Sequence, residues 1–210
     1  MGILKVVVLI SGRGSNLQAI INKCNKKSTP AKIIAVISNN AKASGLKLKG
    51  KFDKIAIDNK LNKKKFETEL QKNLKKLSPN LICLAGFMKV LSPYIIKRWK
   101  NKIINIHPSL LPSFKGLDTH KRVLSEGVKV SGCTIHFVDR SLDGGPIIAQ
   151  AATIVNKNIT AENLMKKILK IEHKLYPEVV HLFAKKKITI KSNKVFIKDE
   201  KELNAFIKSI

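Results

Sequence analysis

An amide and an imidazole at the end of one apolar segment are the side chains of this sequence best placed for chemistry. Asn105 and His107 interrupt the apolar run of Ile103–Pro112 two positions apart. Side chains alternate between the two faces of a strand, so this pair projects to one side, about 7 Å apart along the chain. Pro108 ends the strand because it has no amide hydrogen for a central ladder. The segment by itself is consistent with an active-site pair or with polar caps for neighbouring loops.

Asp143 is the carboxylate best placed to partner His107, because it lies in the glycine-rich turn Leu142–Pro146 between two predicted strands. A carboxylate beside an imidazole favours the protonated ring, which is then a better general acid near neutral pH. Asn105 can donate its amide hydrogen to an oxygen that gains negative charge. Together these groups suit acyl or one-carbon transfer. The alternative is that Asp143 stabilises only its own turn.

The remaining histidines and the cysteines show no metal-site pattern. Four histidines lack the spacing of zinc ligands, and most of them are interpreted as structural: His120, His136, His173 and His181. The cysteines are far apart and lack a C-x-x-C pair: Cys24, Cys83 and Cys133. This usage indicates reduced thiols, no metal site and a cytoplasmic location.

A glycine turn, Ser11–Asn16, separates the β-branched run Lys5–Ile10 from a helical apolar pattern. The free amides at the start of that helix form an anion site, with Ser15 or Asn16 as the expected cap. Leu17 stands where the dinucleotide fingerprint requires a third glycine, and no Gly-Lys-Ser/Thr follows. A single phosphate is therefore the better ligand, and a tight strand–helix turn without a ligand is the alternative.

The first 107 residues alternate between apolar strand patterns and helical patterns. This alternation predicts an α/β fold with a doubly wound, mostly parallel sheet and helices on both faces. The predicted strands are Lys5–Ile10, Lys32–Ser38, Lys54–Ile57, Leu81–Ala85 and the strand ending at His107. The predicted helices follow the glycine turn, span Ala41–Lys49 and Asn62–Leu77, and begin after Ser92. Ligands bind beyond the carboxyl ends of such strands, so the glycine turn, Gly86–Leu91 and His107 should face one another.

The second half of the sequence predicts a different arrangement, with antiparallel strands and a hairpin toward the C-terminus. Helical patterns cover Lys121–Glu126 and a long segment from the cap Thr160 to Ala184. The predicted strands are Ser131–Val138 and Ile147–Val155, followed by the hairpin strands Ile188–Ile190 and Val195–Ile197.

The net charge of +27 would normally indicate a nucleic-acid partner. All but four of the 41 basic residues are lysines, however, and no aromatic residues interleave them for base stacking. We interpret the excess as a compositional bias toward Lys, Asn and Ile, with nucleic-acid binding as the alternative. The charge would attract small anionic substrates either way. No segment has the apolar length that would predict a membrane partner.

Four motifs together resemble one family, in order and in spacing. They are Ser11–Asn16, Leu84–Pro93, Asn105–Pro112 and Leu142–Pro146. The sequence is similar over essentially its whole length to the glycinamide ribonucleotide formyltransferases, folate-dependent enzymes of purine synthesis. This resemblance implies transfer of the formyl group of 10-formyltetrahydrofolate, as co-substrate, to the amine of 5-phosphoribosylglycinamide. It also implies one formyltransferase domain over residues 1–210, with a nucleotide-binding half at 1–107 and a half at 108–210 that completes the folate site.

The resemblance implies a catalytic trio. His107 would be the proton donor, Asp143 would tune it, and Asn105 would stabilise the oxyanion and touch folate. The residues that would bind the phosphoribosyl substrate are Gly14, Ser15, Asn16 and Glu172, and Glu172 is chosen by the resemblance alone. The residues that would line the folate pocket are Lys63, Met88, Lys89, Val90 and Leu91.

Two segments depart from the family pattern. Many relatives carry arginine in the region of Lys63, and some carry a histidine-bearing version of Lys115–Asp118. Lysine keeps the charge but cannot make a bidentate contact. We do not expect a methionyl-transfer-RNA formyltransferase, because it needs an additional C-terminal domain that 210 residues do not accommodate. We do not expect a formyltetrahydrofolate deformylase either, because it needs an additional N-terminal domain and the first predicted strand begins almost at Met1.

Overall fold

The computed structural model describes residues 2–210, and Met1 lies outside the described part. The strands of the main sheet are β1 Leu4–Ile10, β2 Ala31–Ser38, β3 Asp53–Ala56, β4 Leu81–Leu84, β5 Ile103–His107, β6 Val130–Phe137 and β7 Ile147–Ile154. The helices are α1 Ser15–Cys24, α2 Lys63–Leu77, α3 Pro93–Arg98, α4 Thr119–Ser125, α5 Ala161–Ala184 and α6 Glu200–Lys208. A short 3₁₀ turn covers Ser44–Lys47, and β8 Ile188–Lys191 pairs with β9 Lys194–Ile197.

The sheet confirms the predicted fold class. Its strand order is β3-β2-β1-β4-β5-β6-β7. The first five strands are parallel, whereas β6 runs antiparallel to β5 and β7 antiparallel to β6. The continuous β-branched pattern of β1 reflects its central position, where Val6–Ile10 have no solvent exposure because both faces are covered. The carboxyl ends of β1, β4 and β5 therefore meet at one edge of the sheet.

Helices cover both faces of the sheet through two apolar clusters. Helices α1 and α5 pack on one face, and α2 and α3 pack on the other. The predicted stripe of α5 is buried as expected and comprises Leu164, Ile168, Ile171 and Leu175. Truncation of one such leucine to alanine costs about 2–5 kcal/mol of unfolding free energy, because a cavity adds to the lost burial. This packing fixes α5 against the sheet edge that holds the candidate site.

The set of predicted helices differs from the structure in two respects. The helix predicted over Ala41–Lys49 is only the 3₁₀ turn, because Gly45 is drawn against the glycine turn and donates its amide hydrogen to the Gly12 carbonyl at 3.1 Å. Helix α6 has no counterpart among the predicted helices. It is anchored by the buried Leu203 and by ion pairs of Lys187, contacts that no local periodicity reveals.

Candidate active site

A cleft of about 890 Å³ opens at the carboxyl edge of the sheet, where ligands bind in α/β folds. The three predicted catalytic side chains line it together: Asn105 and His107 from the end of β5, and Asp143 from the turn after β6. Asp143 adopts a left-handed conformation with φ of 48°, which aspartate tolerates better than most residues. The turn approaches β6 closely at Gly145, where a Cβ would lie 1.9 Å from the Phe137 carbonyl oxygen.

The imidazole of His107 is held between a carboxylate and a carbonyl. Its Nδ1 lies 3.4 Å from Oδ2 of Asp143, and both side chains are largely buried. Its Nε2 lies 2.9 Å from the carbonyl oxygen of Phe114. A carbonyl oxygen only accepts, so Nε2 must carry a hydrogen. Nδ1 is therefore the ring nitrogen that remains available to Asp143.

Asp143 also connects the site to the loop before α4. Its Oδ2 accepts the backbone amide hydrogen of Gly116 at 2.9 Å. The carboxylate therefore has a backbone amide as a partner besides His107, and its Oδ1 lies 3.8 Å from Nε2 of His136. These contacts place the negative charge of Asp143 beside His107 rather than leaving it in its own turn.

The side chain of Asn105 contacts His136, one of the histidines that lack the spacing of metal ligands in the sequence. In the antiparallel register Asn105 pairs with His136, and Nδ2 of Asn105 lies 3.3 Å from Nε2 of His136. Nδ1 of His136 donates to the Phe137 carbonyl at 2.9 Å, so Nε2 of the neutral ring accepts from the amide. Burial lowers the pKa of His136, outweighing the opposing effects of the Phe137 carbonyl and Asp143. The neutral ring thus fixes the direction in which the Asn105 amide points.

His120 also lines the cleft, although its sequence spacing likewise indicates a structural residue. Burial, followed by the proximity of His107, lowers its pKa. His120 follows the Gly116 loop, and no local sequence pattern there predicts that it lines the cleft. His136 lies in an alternating strand pattern, which indicates the face of the strand that it occupies. That pattern does not predict the partner strand or the register.

The glycine turn forms the start of α1 as expected, but its cap differs from the prediction. Gly14 is the N-cap residue, with φ of 76°, and no side chain caps the helix. Ser15 and Asn16 are instead the first residues of the helix. A Cβ on Gly14 would lie 2.8 Å from Cα of Gly45, so the close approach of the 3₁₀ turn requires glycine. The amides of this first turn remain available to an anion.

Asn16 and Glu172 meet across 156 residues of sequence. Nδ2 of Asn16 donates to Oε2 of Glu172 at 2.7 Å, and both side chains are buried. Burial raises the pKa of Glu172 to about 7, although the Asn16 hydrogen bond opposes the rise. The structure therefore brings together two of the residues that the resemblance assigned to one substrate.

Ser11 joins the glycine turn to the segment after β4. Its hydroxyl accepts the backbone amide hydrogen of Met88 at 2.8 Å, and its own amide donates to the Gly86 carbonyl at 3.0 Å. The expected meeting of the glycine turn with Gly86–Leu91 is present. The predicted phosphate and folate segments are thus linked by one serine.

The wall of the cleft is apolar and open to solvent. Met88 and Val90 are 65% and 67% exposed, whereas Leu91 is buried beneath them. Across the cleft, Leu117 and Leu142 are also largely exposed. Large apolar side chains grouped around a cleft indicate a ligand with an apolar surface. Four of the five residues assigned to folate alone line this cleft: Met88, Lys89, Val90 and Leu91.

Lys63 is the exception among the predicted site residues. It lies at the start of α2 and lines a separate groove of about 940 Å³ between α2 and α3, which we term the α2–α3 groove. The groove is also lined by Lys64, Gln71, Lys72, Lys75 and Tyr94, among others. The structure thus does not bring Lys63 into the cleft with His107.

Residues 2–210 were compared with the side-chain arrangement of a metal site and with the length and polarity of a membrane-spanning helix. No group of three or more His, Cys, Asp or Glu side chains in residues 2–210 is arranged to hold a metal ion. Across the same residues, every helix is too short or too polar to cross a membrane.

The sequence is similar to known proteins over most of its length. The family described as Formyl transferase matches residues 4–180. The trifunctional purine biosynthetic protein adenosine-3 of Bos taurus is 43% identical over 193 residues, covering 90% of this chain and 19% of that protein. The phosphoribosylglycinamide formyltransferase of Haemophilus influenzae is 39% identical over 199 residues, covering 92% of this chain and 93% of that protein. The chain thus spans about a fifth of the trifunctional relative and nearly all of the bacterial one.

A solved structure shares the whole architecture. The crystal structure of glycinamide ribonucleotide transformylase 1 from Symbiobacterium toebii aligns with a TM-score of 0.88 and 40% identity. The alignment covers 94% of this chain and 95% of that chain. The matches in sequence and in architecture extend over both halves of the sheet, and the chain therefore belongs to the formyl transferase family.

Proposed function

We propose that this chain transfers the formyl group of 10-formyltetrahydrofolate to the amine of 5-phosphoribosylglycinamide, a step of de novo purine biosynthesis. The observation that carries the proposal is the approach of His107 Nδ1 to Asp143 Oδ2, at 3.4 Å, in the cleft that Asn105 also lines. The names of the bacterial relatives support the same reaction. Both substrates are small molecules, and the lysine-rich surface would attract the phosphate of the acceptor.

The acceptor would bind between α1 and α5. The amides of Gly14, Ser15 and Asn16 would hold its phosphate, because the first turn of a helix offers free donors and a positive dipole end. Glu172 would meet the amine end, and its hydrogen bond with Asn16 supports this placement. A pKa of about 7 lets Glu172 accept or release a proton near neutral pH.

The formyl donor would bind in the cleft. The apolar side chains of Met88, Val90 and Leu91 offer a surface for its ring system, and Lys89 offers a cation. Lys63 would contribute only to an extended part of this ligand, because it lies in the α2–α3 groove.

The chemistry would use three side chains. Asn105 would donate an amide hydrogen to the formyl oxygen as the amine adds to the formyl carbon and that oxygen gains charge. His107 would give its Nδ1 proton to N10 of the folate as the bond between N10 and the formyl carbon breaks. Nδ1 would then recover the surplus proton of the attacking amine. Asp143 would stabilise the protonated ring through its adjacent charge.

The decisive experiment measures conversion of 10-formyltetrahydrofolate to tetrahydrofolate by the purified protein. We expect turnover only when 5-phosphoribosylglycinamide is present, with its formylated product formed in equal amount. Turnover with water alone would indicate deformylation instead. Absence of turnover together with salt-dependent retention on RNA would favour the nucleic-acid alternative.

We also infer that the halves 1–107 and 108–210 act as one domain. The pairing of β5 with β6 carries the sheet from one half to the other, and α5 packs against α1. The cytoplasmic location remains the prediction drawn from the cysteine usage.

A further inference from the structure

We propose that the α2–α3 groove is a second binding site, for a small multiply charged anion that carries phosphate or carboxylate groups. The groove lies on the face of the sheet covered by α2 and α3, whereas α1 and the phosphate turn lie with the opposite face. Lys63 is the residue that this groove shares with the predicted folate site. The proposal rests on Lys64, Lys72, Lys75 and Gln71, and so it does not depend on the reaction in the cleft.

The charge of the groove is strongly positive. Three lysines recur at helical spacing along one side of α2, namely Lys64, Lys72 and Lys75. Lys63 is the first residue of the same helix. Among residues 2–210, Glu67 is the one carboxylate that lines the groove, and its Oε1 accepts the backbone amide hydrogen of Ser92 at 2.7 Å. Several lysines around one concave surface raise the local concentration of anions.

Gln71 distinguishes this groove from an ordinary lysine-rich surface. It lines the groove but is only 6% exposed, and its Oε1 accepts the Nε1 hydrogen of Trp99 at 2.9 Å. The indole nitrogen of Trp99 can only donate, so the side-chain amide of Gln71 must turn Oε1 toward Trp99 and Nε2 away from it. That buried Nε2 has no hydrogen-bond partner among residues 2–210. A buried donor without an acceptor is costly, and an anionic oxygen would satisfy it.

The size of the groove fits a small molecule with several anionic groups. Its volume of about 940 Å³ is at the upper end of ordinary ligand sites. Four lysines can compensate several charges, so a monovalent anion would use only part of the site. Thr68, Ser92 and Tyr94 add hydroxyl groups to the lining. A multiply charged ligand therefore fits the groove better than a single phosphate.

The test uses the fluorescence of Trp99, the single tryptophan of the chain, as a local reporter. Titration with tripolyphosphate and, separately, with triglutamate distinguishes phosphate from carboxylate ligands. We expect at least one of them to produce a saturable change at low salt. In a K72A/K75A double variant the affinity should fall about tenfold or more, because two charge-assisted contacts are removed.

A matched K26A/K27A variant carries the same charge change in exposed lysines after α1, on the other side of the sheet. Its affinity should stay within about twofold of the wild-type value, because nonspecific screening of surface charge acts weakly over that distance. Equal weakening in both double variants, or no saturable change with either anion, would overturn the proposal.

A second variant tests Gln71 itself. Q71E keeps an acceptor for Trp99 Nε1 but replaces the amide donor with a carboxylate, so binding should fall by about tenfold or more. Wild-type affinity in a folded Q71E protein would contradict the role of Gln71. If Q71E does not fold, the comparison of the two lysine variants still decides the proposal. Formyl transfer in the lysine variants should keep its wild-type rate, so failure of this site is separable from failure of the proposed reaction.

Discussion

Asn105 and His136 lie directly opposite each other in the antiparallel β5–β6 pair, with Nδ2 of the asparagine 3.3 Å from Nε2 of the histidine. This pairing gives the proposed oxyanion donor a fixed direction. One amide hydrogen is held by His136, which leaves the second free to point toward the cleft.

The first prediction concerns this pairing. In H136A the Asn105 amide loses its acceptor, so kcat should fall about tenfold. This loss is smaller than the loss in kcat that removal of an oxyanion donor itself causes. KM for both substrates should change little. H136Q, whose side-chain oxygen can accept the same hydrogen, should recover part of the rate. The measurement is steady-state formyl transfer. H173A serves as a control because His173 is not among the residues that line the cleft, and equal losses in H136A and H173A would contradict the positioning role.

The second prediction concerns the His107–Asp143 pair. H107A and D143A should each lower kcat by about 10²–10⁴, the usual contribution of general acid catalysis. D143N should lose nearly as much, since an amide can still accept from Gly116 but carries no charge to stabilise the protonated ring. Binding of each substrate, measured by calorimetry, should survive.

D139N is the matched control, because Asp139 lines the same cleft and its Oδ1 accepts from Ser141 instead. A D143N protein with a near-normal rate would rule out the proposed role of the charge.

The third prediction concerns Gly45 and the phosphate turn. A Cβ at Gly45 would lie 2.6 Å from Cδ1 of Ile10 and 3.2 Å from Cα of Gly14. G45A should therefore displace the turn and raise KM for 5-phosphoribosylglycinamide about tenfold. The effect on kcat should be smaller, since an interaction that holds the ground state and the transition state equally contributes to KM alone. S44A, in the same 3₁₀ turn, is the control and should behave as wild type. Unchanged KM in G45A would show that the two glycines do not set the anion site.

The fourth prediction concerns the pH dependence of stability. The pKa of Glu172 is about 7 in the folded protein, above its ordinary value of 4.5. The folded state therefore binds the proton more tightly, and this contribution to stability is fully present below about pH 4.5 and is lost as pH rises through 7. Relative to E172Q, the wild type should lose roughly 3 kcal/mol of unfolding free energy between pH 4.5 and pH 8.

Urea unfolding at several pH values measures this difference. E126Q, which changes an exposed carboxylate after α4, should track the wild type across the same range. Parallel pH profiles for wild type and E172Q would mean that the buried carboxyl does not titrate in the folded protein.

Much of the architecture could be predicted from local patterns. The alternation of apolar strands and amphipathic helices predicted the parallel sheet, because periodicity records which side of each element is buried. The same period placed Asn105 and His107 on one face, and the glycine spacing of Ser11–Asn16 predicted an anion site rather than a dinucleotide site. The predicted extent of the helix after β2 was wrong, because the conformation of that segment follows from packing of Gly45 against Gly14 and not from its own residues.

The sequence by itself determined the fold class, the strand end predicted to carry the chemistry and, through family resemblance, the predicted assignment of Glu172 to the acceptor site. Tertiary structure decided which distant groups meet. It placed His136 across from Asn105, joined Asn16 to Glu172 over 156 residues, and separated Lys63 from the cleft. The physical reason is that periodicity is a local property, whereas strand register and loop position depend on long-range packing.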